Sequence, residues 1–264
     1  MAPQPEIRAW RPSVDGIAEV FHAYFPDHAY PTHTHDTWTL LIVDDGVVHY
    51  DLDRHEHGAL RSLVTLLPPH VSHDGRSATA RGFRKRVIYL DDSQVGADLI
   101  GAAVDRPSVP DPVLRDRIAR LNDALVAPGD EFEAAGRLAL IVDRLRGQLG
   151  ARPDPVAGRD RGVAVRLREL LDANVVGGLT LDAAARTLQA HPTYLVRAFS
   201  REFGVPPHQD LTGRRLDRAR RLLLAGTGVA DVAAECGFYD QSHLNRHFKK
   251  MLGIAPTAYA RSVR

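Results

Sequence analysis

Residues 237–250 read GFYDQSHLNRHFKK, two histidines, a glutamine, an asparagine and three cations set among a few apolar side chains. His243 and His247 stand four apart, the spacing by which one helix face offers two ligands to zinc. A zinc-protease helix also needs a glutamate beside the first histidine, and residue 244 is leucine. Turned at about 100° per residue, the stretch places Leu244, Phe248 and Met251 on one side as an apolar back. Ser242, Asn245, Arg246 and Lys249 fall opposite, with Gln241 at the leading end and the two histidines on the flank between. Gln and Asn pair bidentately with adenine and Arg with guanine, whereas Lys249 and Lys250 at the trailing end suit phosphates.

The stretch closes a larger unit, 228–253, in which a short helix with Ala233 and Ala234 leads through Gly237 into this second helix. Residues 179–204, LTLDAAARTLQAHPTYLVRAFSREFG, repeat the plan: Ala183, Ala184 and Ala185, a turn, then a helix with Leu195, Phe199 and Phe203. Small residues let two helices cross closely, as in helix-turn-helix modules. The front of this first unit carries Thr193, Val196, Arg197 and Ser200; Val196 is apolar and suits a thymine methyl. Between the units, HQDLTGRRLDRARRLLL (208–224) reads as one helix with an apolar stripe of Leu211, Leu216, Ala219, Leu222 and Leu223. A rigid helix of that length, about 25 Å, could hold two reading helices one DNA turn apart. Thr180, Thr227 and Asp240 read as N-caps, and Gly204 and Gly253 as left-handed C-caps.

Charge is divided along the chain. Residues 159–264 hold 17 Lys+Arg against 10 Asp+Glu, net +7, and the preceding residues 17 against 23, net −6. A basic C-terminal half beside an acidic one points to a polyanion partner for that half alone. The single cysteine, Cys236, cannot form an internal disulfide and fits a reducing cytoplasm. MAPQPEIRAW lacks the progression of a signal peptide, and no apolar run approaches the length of a membrane span.

The N-terminal half reads differently. WTLLIVDDGVVHYDLD (38–53) presents two β-rich runs around Asp44-Asp45-Gly46 and predicts a hairpin. Further strands are expected at 19–25, 60–67 and 83–90, a pattern of short strands that suggests a barrel or sandwich. Helical periodicity takes over at 113–126 and 131–149, where Leu138, Ile141, Val142 and Leu145 form a stripe. Covering its own barrel and forming a dimer seam are the two readings of that stripe. GARPDPVAGRD (150–160) reads as a linker. The expected architecture is therefore α+β in two domains: an N-terminal barrel (1–92) with a helical segment (93–149), and an all-α double helix-turn-helix domain (161–264).

The sequence from Val229 through AAECGFYDQSHLNRHFKKMLGIAPTAYARS, with Gly253, Pro256 and Tyr259, resembles the AraC/XylS family of bacterial transcription regulators. Ala184, Leu195, Phe199 and Gly204 of the first unit fit the same pattern, as do Arg215, Ala219 and Leu223 of the linking helix. The resemblance covers about residues 163–262. It implies contacts to double-stranded DNA through Thr193, Val196 and Arg197 in the first unit, and through Gln241, Ser242, Asn245 and Arg246 in the second. The N-terminal half looks like the cupin-like, jelly-roll sensor domain of many members. That implies a cytoplasmic regulator that is usually a homodimer, takes a small-molecule effector and has RNA polymerase as a further partner.

His33 and His35 alternate in YPTHTHDTW, so both face the same side of a strand, and PPHVSH adds His70 and His73. This is similar to the cupin pattern that gathers three histidines on a metal. Thr39 stands near the place of the usual glutamate and His70 replaces a glycine. His33, His35 and His73 are thus open to three readings: a divalent metal site, the lining of an effector pocket with Trp38 and Tyr50, or structure alone. Tyr24 and His49 could add stacking and hydrogen bonds, and His55 and His57 are placed on an exposed turn. A metal-dependent cupin enzyme with an accessory nucleic-acid-binding domain is the rival to a ligand-sensing regulator.

Overall fold

The computed structural model describes residues 4–79, 81–150 and 160–261. Residues 151–159 of the expected linker lie outside them. Two compact units result: Met1–Asn122 with Ile141–Asp154, and Asp123–Leu140 with Pro155–Arg264. The boundary differs from a cut at 150–160 because a helix pair is shared between the units.

The described residues of the N-terminal unit form ten strands: β1 (Glu6–Trp10), β2 (Ile17–Phe25), β3 (Ala29–His33), β4 (Trp38–Asp45), β5 (Val48–Leu52), β6 (His55–Ala59), β7 (Val64–Leu67), β8 (His73–Ser77), β9 (Phe83–Leu90) and β10 (Ser108–Val109). They form two antiparallel sheets, ordered β1-β2-β9-β4-β7-β10 and β3-β8-β5-β6. The described residues thus make two facing sheets, without the closure of a barrel.

The expected hairpin at Asp44-Asp45-Gly46 is not one. β4 pairs with β7 and β9, whereas β5 pairs with β6 and β8, so the turn carries the chain from one sheet to the other. Gly46 is required there: its φ is +77° and an added Cβ would meet the Gly82 carbonyl oxygen. The hairpin is β5–β6, turned by Asp53 and Arg54, both at positive φ. Asp tolerates that conformation, but the pair lacks the glycine that usually announces such a turn. His55 and His57 consequently lie on β6, with His57 stacked on Tyr50, rather than on a turn.

Alternation along the strands separates two apolar faces. Ala23, Phe25, Leu41, Val43, Phe83 and Val87 join Val48, Tyr50 and Leu52 between the sheets. The opposite face of β4 buries Trp38, Leu40 and Ile42. Short helices α1 (Asp92–Val95) and α2 (Ile100–Asp105) precede α3 (Pro112–Val126). Asn122 of α3 meets His22 of β2 at 2.8 Å, and Arg115 donates to the Val43 carbonyl at 2.9 Å, which fixes α3 to the six-stranded sheet.

Helix α4 (Glu131–Gln148) passes from one unit to the other after Leu140. Its stripe of Leu138, Ile141, Val142 and Leu145 is buried within the single chain. These side chains are core, so the stripe has no free face for a dimer seam.

In the C-terminal unit, α5 (Arg161–Ala173), α6 (Leu181–Leu188) and α7 (Pro192–Phe203) close one core around Leu167, Leu171, Ala184, Leu195 and Phe199. Helices α8 (Pro207–Leu224), α9 (Val229–Glu235), α10 (Gln241–Leu252) and α11 (Pro256–Arg261) close a second around Leu216, Ala219, Val232, Ala233, Leu244 and Phe248. Thr180 caps α6 and Asp240 caps α10, each accepting from the backbone N–H three residues on. The cap of α9 is Gly228, not Thr227, and no side chain bonds there. Met251 is 62% exposed, because Leu252, four residues after Phe248, takes the place on the apolar back.

Candidate nucleic-acid interface and ligand-binding interior

Two helix pairs of the same design flank α8. In the second, Gly237 makes the turn between α9 and α10 at φ +76°, and an added Cβ would stand 2.6 Å from the Val175 carbonyl oxygen. Only glycine fits such an approach. Arg215 of α8 donates to the same carbonyl at 2.7 Å, tying the two cores together. The first pair turns at Gln189, φ +51°, and enters α7 through His191, whose Nδ1 accepts from the Thr193 N–H at 3.3 Å. With 18 residues, α8 spans about 27 Å.

The expected reading residues divide into open and covered. Gln241, Ser242, Lys249 and Lys250 are exposed on α10. Arg246 is 40% exposed at its side chain and donates to Asp130 Oδ2 at 3.0 Å. Asn245 is half-buried, with its Oδ1 buried and unpartnered. On α7, Arg197 is half-buried, but Thr193 and Val196 are buried. Thr193 donates to the Ala139 carbonyl at 3.3 Å, and Val196 lies against Gly136. His243 and His247, expected on the flank between the two faces, are 4% and 8% exposed. Both meet Asp130 Oδ1, at 3.1 and 2.8 Å. No helical periodicity could have joined Asp130 to residues more than a hundred positions later.

The space between the sheets gathers polar groups of another kind. His33, His35 and His73 lie with ring centroids 4.6–5.0 Å apart, and their nitrogens lie within 4.8 Å of one another. The rings of His33 and His73 turn Nδ1 to the carbonyls of Pro31 (2.7 Å) and Val71 (3.0 Å), so each neutral ring keeps its Nε2 lone pair free. Burial, with the neighbouring His73 and His33, lowers His35 to about 4, and burial lowers His73 as well. Trp38, expected beside them, sits on the opposite face of β4; Thr39 points inward instead, its Oγ1 buried and unpartnered. Tyr50 does face the interior, but its hydroxyl is taken by Ser108 Oγ at 2.9 Å.

Sequence reading missed Lys85. It shares the inward side of β9 with Phe83, Val87 and Tyr89, and its ammonium lies 4.1 Å from the Tyr30 ring centre. Its neighbours Arg84 and Arg86 point the other way and have carboxylates, Glu6 at 3.3 Å and Asp44 at 2.7 Å. Lys85 has no carboxylate partner among the described residues, and burial alone lowers it to about 8. The Tyr30 hydroxyl is also buried without a partner, and burial raises Tyr89 to about 12. The signal in the sequence was a lone cation at an inward position of the alternating strand FRKRVIYL.

A two-sheet sensor fold and paired helix-turn-helix units define a ligand-binding domain joined to a DNA-binding domain. Residues 16–172, more than half of the chain, match the AraC-like ligand binding domain family, and residues 184–262 match a helix-turn-helix domain family. The chain belongs to the AraC family of regulators with an N-terminal ligand-binding domain. It is similar to the uncharacterized HTH-type transcriptional regulator YijO of Escherichia coli (strain K12), 27% identical over 142 residues, 53% of this chain and 50% of that one. It is 28% identical over 157 residues to the virulence regulon transcriptional activator VirF of Yersinia enterocolitica, covering 59% of this chain and 51% of that protein. The chain spans about half the length of these relatives. Among solved structures, the AraC-like transcriptional activator CuxR aligns at a TM-score of 0.44 and 17% identity, over 81% of this chain and 80% of that one.

Proposed function

We propose that the chain is a one-component transcription regulator that reads duplex DNA through α7 and α10 and answers to a small anionic effector held between its two sheets. The observation that supports DNA reading is the repeated helix pair braced by α8, with Gln241, Ser242, Arg246 and Lys249 along one side of α10. The relatives' roles as transcriptional regulators point the same way. No helix among the described residues is long and apolar enough to cross a membrane.

The effector's class follows from Lys85. An ammonium enclosed by Tyr30, Phe21 and Phe83 with no carboxylate of its own costs stability unless something fills that role. A carboxylate from outside would complete the pair, and the unpartnered Tyr30 and Thr39 hydroxyls would add donors. Titration of the full chain with benzoate, salicylate and octanoate, each beside its neutral amide, tests this class by thermal shift. The reading expects stabilisation by carboxylates only; a response to neither, or to the amides equally, counts against it.

A second reading is favoured by the tautomers of His33 and His73. With Nδ1 engaged and Nε2 free, these two rings and His35 suit a divalent metal, which would supply an open coordination position to a ligand. Metal analysis of the purified protein decides it, and turnover by such a metalloprotein would be needed to support the enzyme alternative.

A further inference from the structure

Residues 128–140 belong to the C-terminal unit and lie across both helices assigned above to DNA reading. Asp130 is the fixed point. Its Oδ1 accepts from Nε2 of His243 at 3.1 Å and of His247 at 2.8 Å, and its Oδ2 accepts from Arg246 at 3.0 Å. The Pro128 carbonyl accepts from the same guanidinium at 3.5 Å. Gly129 permits this approach: an added Cβ would stand 2.3 Å from His243 Nδ1 and 2.7 Å from Tyr239 Cβ, and its φ is +91°. Farther along α4, Phe132 packs into the first core, Gly136 lies against Val196, and the Ala139 carbonyl accepts from Thr193.

Asp130, His243 and His247 also have the composition of a metal site, with ligand atoms within 4.8 Å of one another. The hydrogen-bond pattern argues for another use. His243 Nδ1 accepts the Tyr239 N–H at 3.0 Å, so in the neutral ring Nε2 carries the proton and donates it to Asp130. A metal ligand at Nε2 would have to give that proton up while Nδ1 stays occupied as an acceptor. The cluster is therefore satisfied as a carboxylate gripped by three donors.

We propose that residues 128–140 are an intramolecular competitor for DNA: Asp130 holds Arg246 as a base or phosphate oxygen would, while α4 covers Thr193 and Val196. This rests on the assignment of α7 and α10 as reading helices. In this arrangement Thr193 and Val196 are covered and Arg246 is engaged, whereas Gln241 and Ser242 stay exposed, as do Lys249 and Lys250, which remain available for sequence-independent contact with phosphates. Specific binding requires the segment to leave. Because α4 continues past Leu140 into the N-terminal unit, the competitor is covalently continuous with the ligand-binding domain.

Full-length wild type and Asp130→Asn are compared by fluorescence anisotropy at fixed salt. The probes are a random-sequence duplex and a duplex enriched from a random pool by the Asp130→Asn protein. Closure predicts that Asp130→Asn binds the enriched duplex about tenfold tighter than wild type, since freeing a masked state raises apparent affinity by the fraction released. Random duplex should bind both nearly equally. Since removal of Asp130 also strips a partner from two buried histidines, a second protein guards against misfolding: Gly136→Cys with Val196→Cys, compared with itself oxidised and reduced. Oxidation should abolish binding to the enriched duplex and a thiol reductant should restore it. Equal binding by the oxidised and reduced forms, or no gain from Asp130→Asn while Arg246→Ala still weakens binding, overturns the competitor and leaves DNA reading intact. If neither wild type nor Asp130→Asn prefers any enriched duplex over random DNA, both ideas fall.

Discussion

Replacing Lys85 with methionine should stabilise the N-terminal unit at neutral pH while abolishing its response to carboxylates. Burial lowers this ammonium from 10.5 to about 8, and at 1.36 kcal/mol per pH unit that corresponds to a penalty of about 3 kcal/mol at pH 7. Part of the side chain is still reached by solvent, and the contact with the Tyr30 ring is lost in the variant, so a net gain of about 2 kcal/mol is expected. For a unit of this size that is a rise in Tm of about 5 °C. The pH dependence separates charge relief from mere packing. The folded value lies below the unfolded one, so between pH 8 and 10.5 the unfolded chain binds the extra proton. Wild-type stability therefore rises with pH across that window, and the advantage of methionine shrinks toward zero above it. Thermal unfolding of both proteins at pH 7 and pH 10.5, followed through the tryptophan signal, gives the comparison. A variant less stable at pH 7, or a gain that persists undiminished at pH 10.5, would refute the picture of an uncompensated buried charge.

Other substitutions test other parts of the structure. Arg246→Ala in an Asp130→Asn background should weaken binding to an enriched duplex by about 1–3 kcal/mol and relax its sequence preference, read by competition with single-base variants; an equal loss on random DNA would make Arg246 a phosphate contact only. Ile141→Asp buries a carboxylate in the core and should leave little folded protein, a cost of several kcal/mol visible in soluble yield and circular dichroism; a folded monomer replacing a wild-type dimer in sedimentation would restore the dimer seam. Gly46→Ala forces a side chain against the Gly82 carbonyl at positive φ and should lower stability by about 1–3 kcal/mol in urea unfolding, whereas Gly213→Ala, in open space on α8, should cost nothing.

The C-terminal half was legible because its information is local. Alanine patches, caps at Thr180 and Asp240, and the left-handed Gly204 and Gly253 each specify a structure within a few residues. The β half was legible in strand content but not in connection. Asp44-Asp45-Gly46 satisfies the chemistry of a hairpin and of a crossing between sheets equally, and only the pairing of β4 with β9 decides between them. Tyr30, His35 and Thr39 lie within ten residues of one another, but Lys85 comes from the distant strand β9, so no spacing rule could gather the four. His243 and His247 stand out in the sequence as a pair at helical spacing, but their partner Asp130 lies in another helix-loop segment. Rotation about a single helix axis also exposes whatever no other segment covers, and for that reason it placed Val196 in the open.

Footprinting of the full chain on a duplex it has enriched tests most directly whether two bracketed helices read DNA together. The account predicts two protected stretches on one face of the duplex with centres about one helical turn, roughly 10 base pairs, apart, the proximal and distal stretches failing separately in Arg197→Ala and Arg246→Ala. A single protected stretch untouched by one of the two substitutions, or uniform protection without sequence preference, would contradict it.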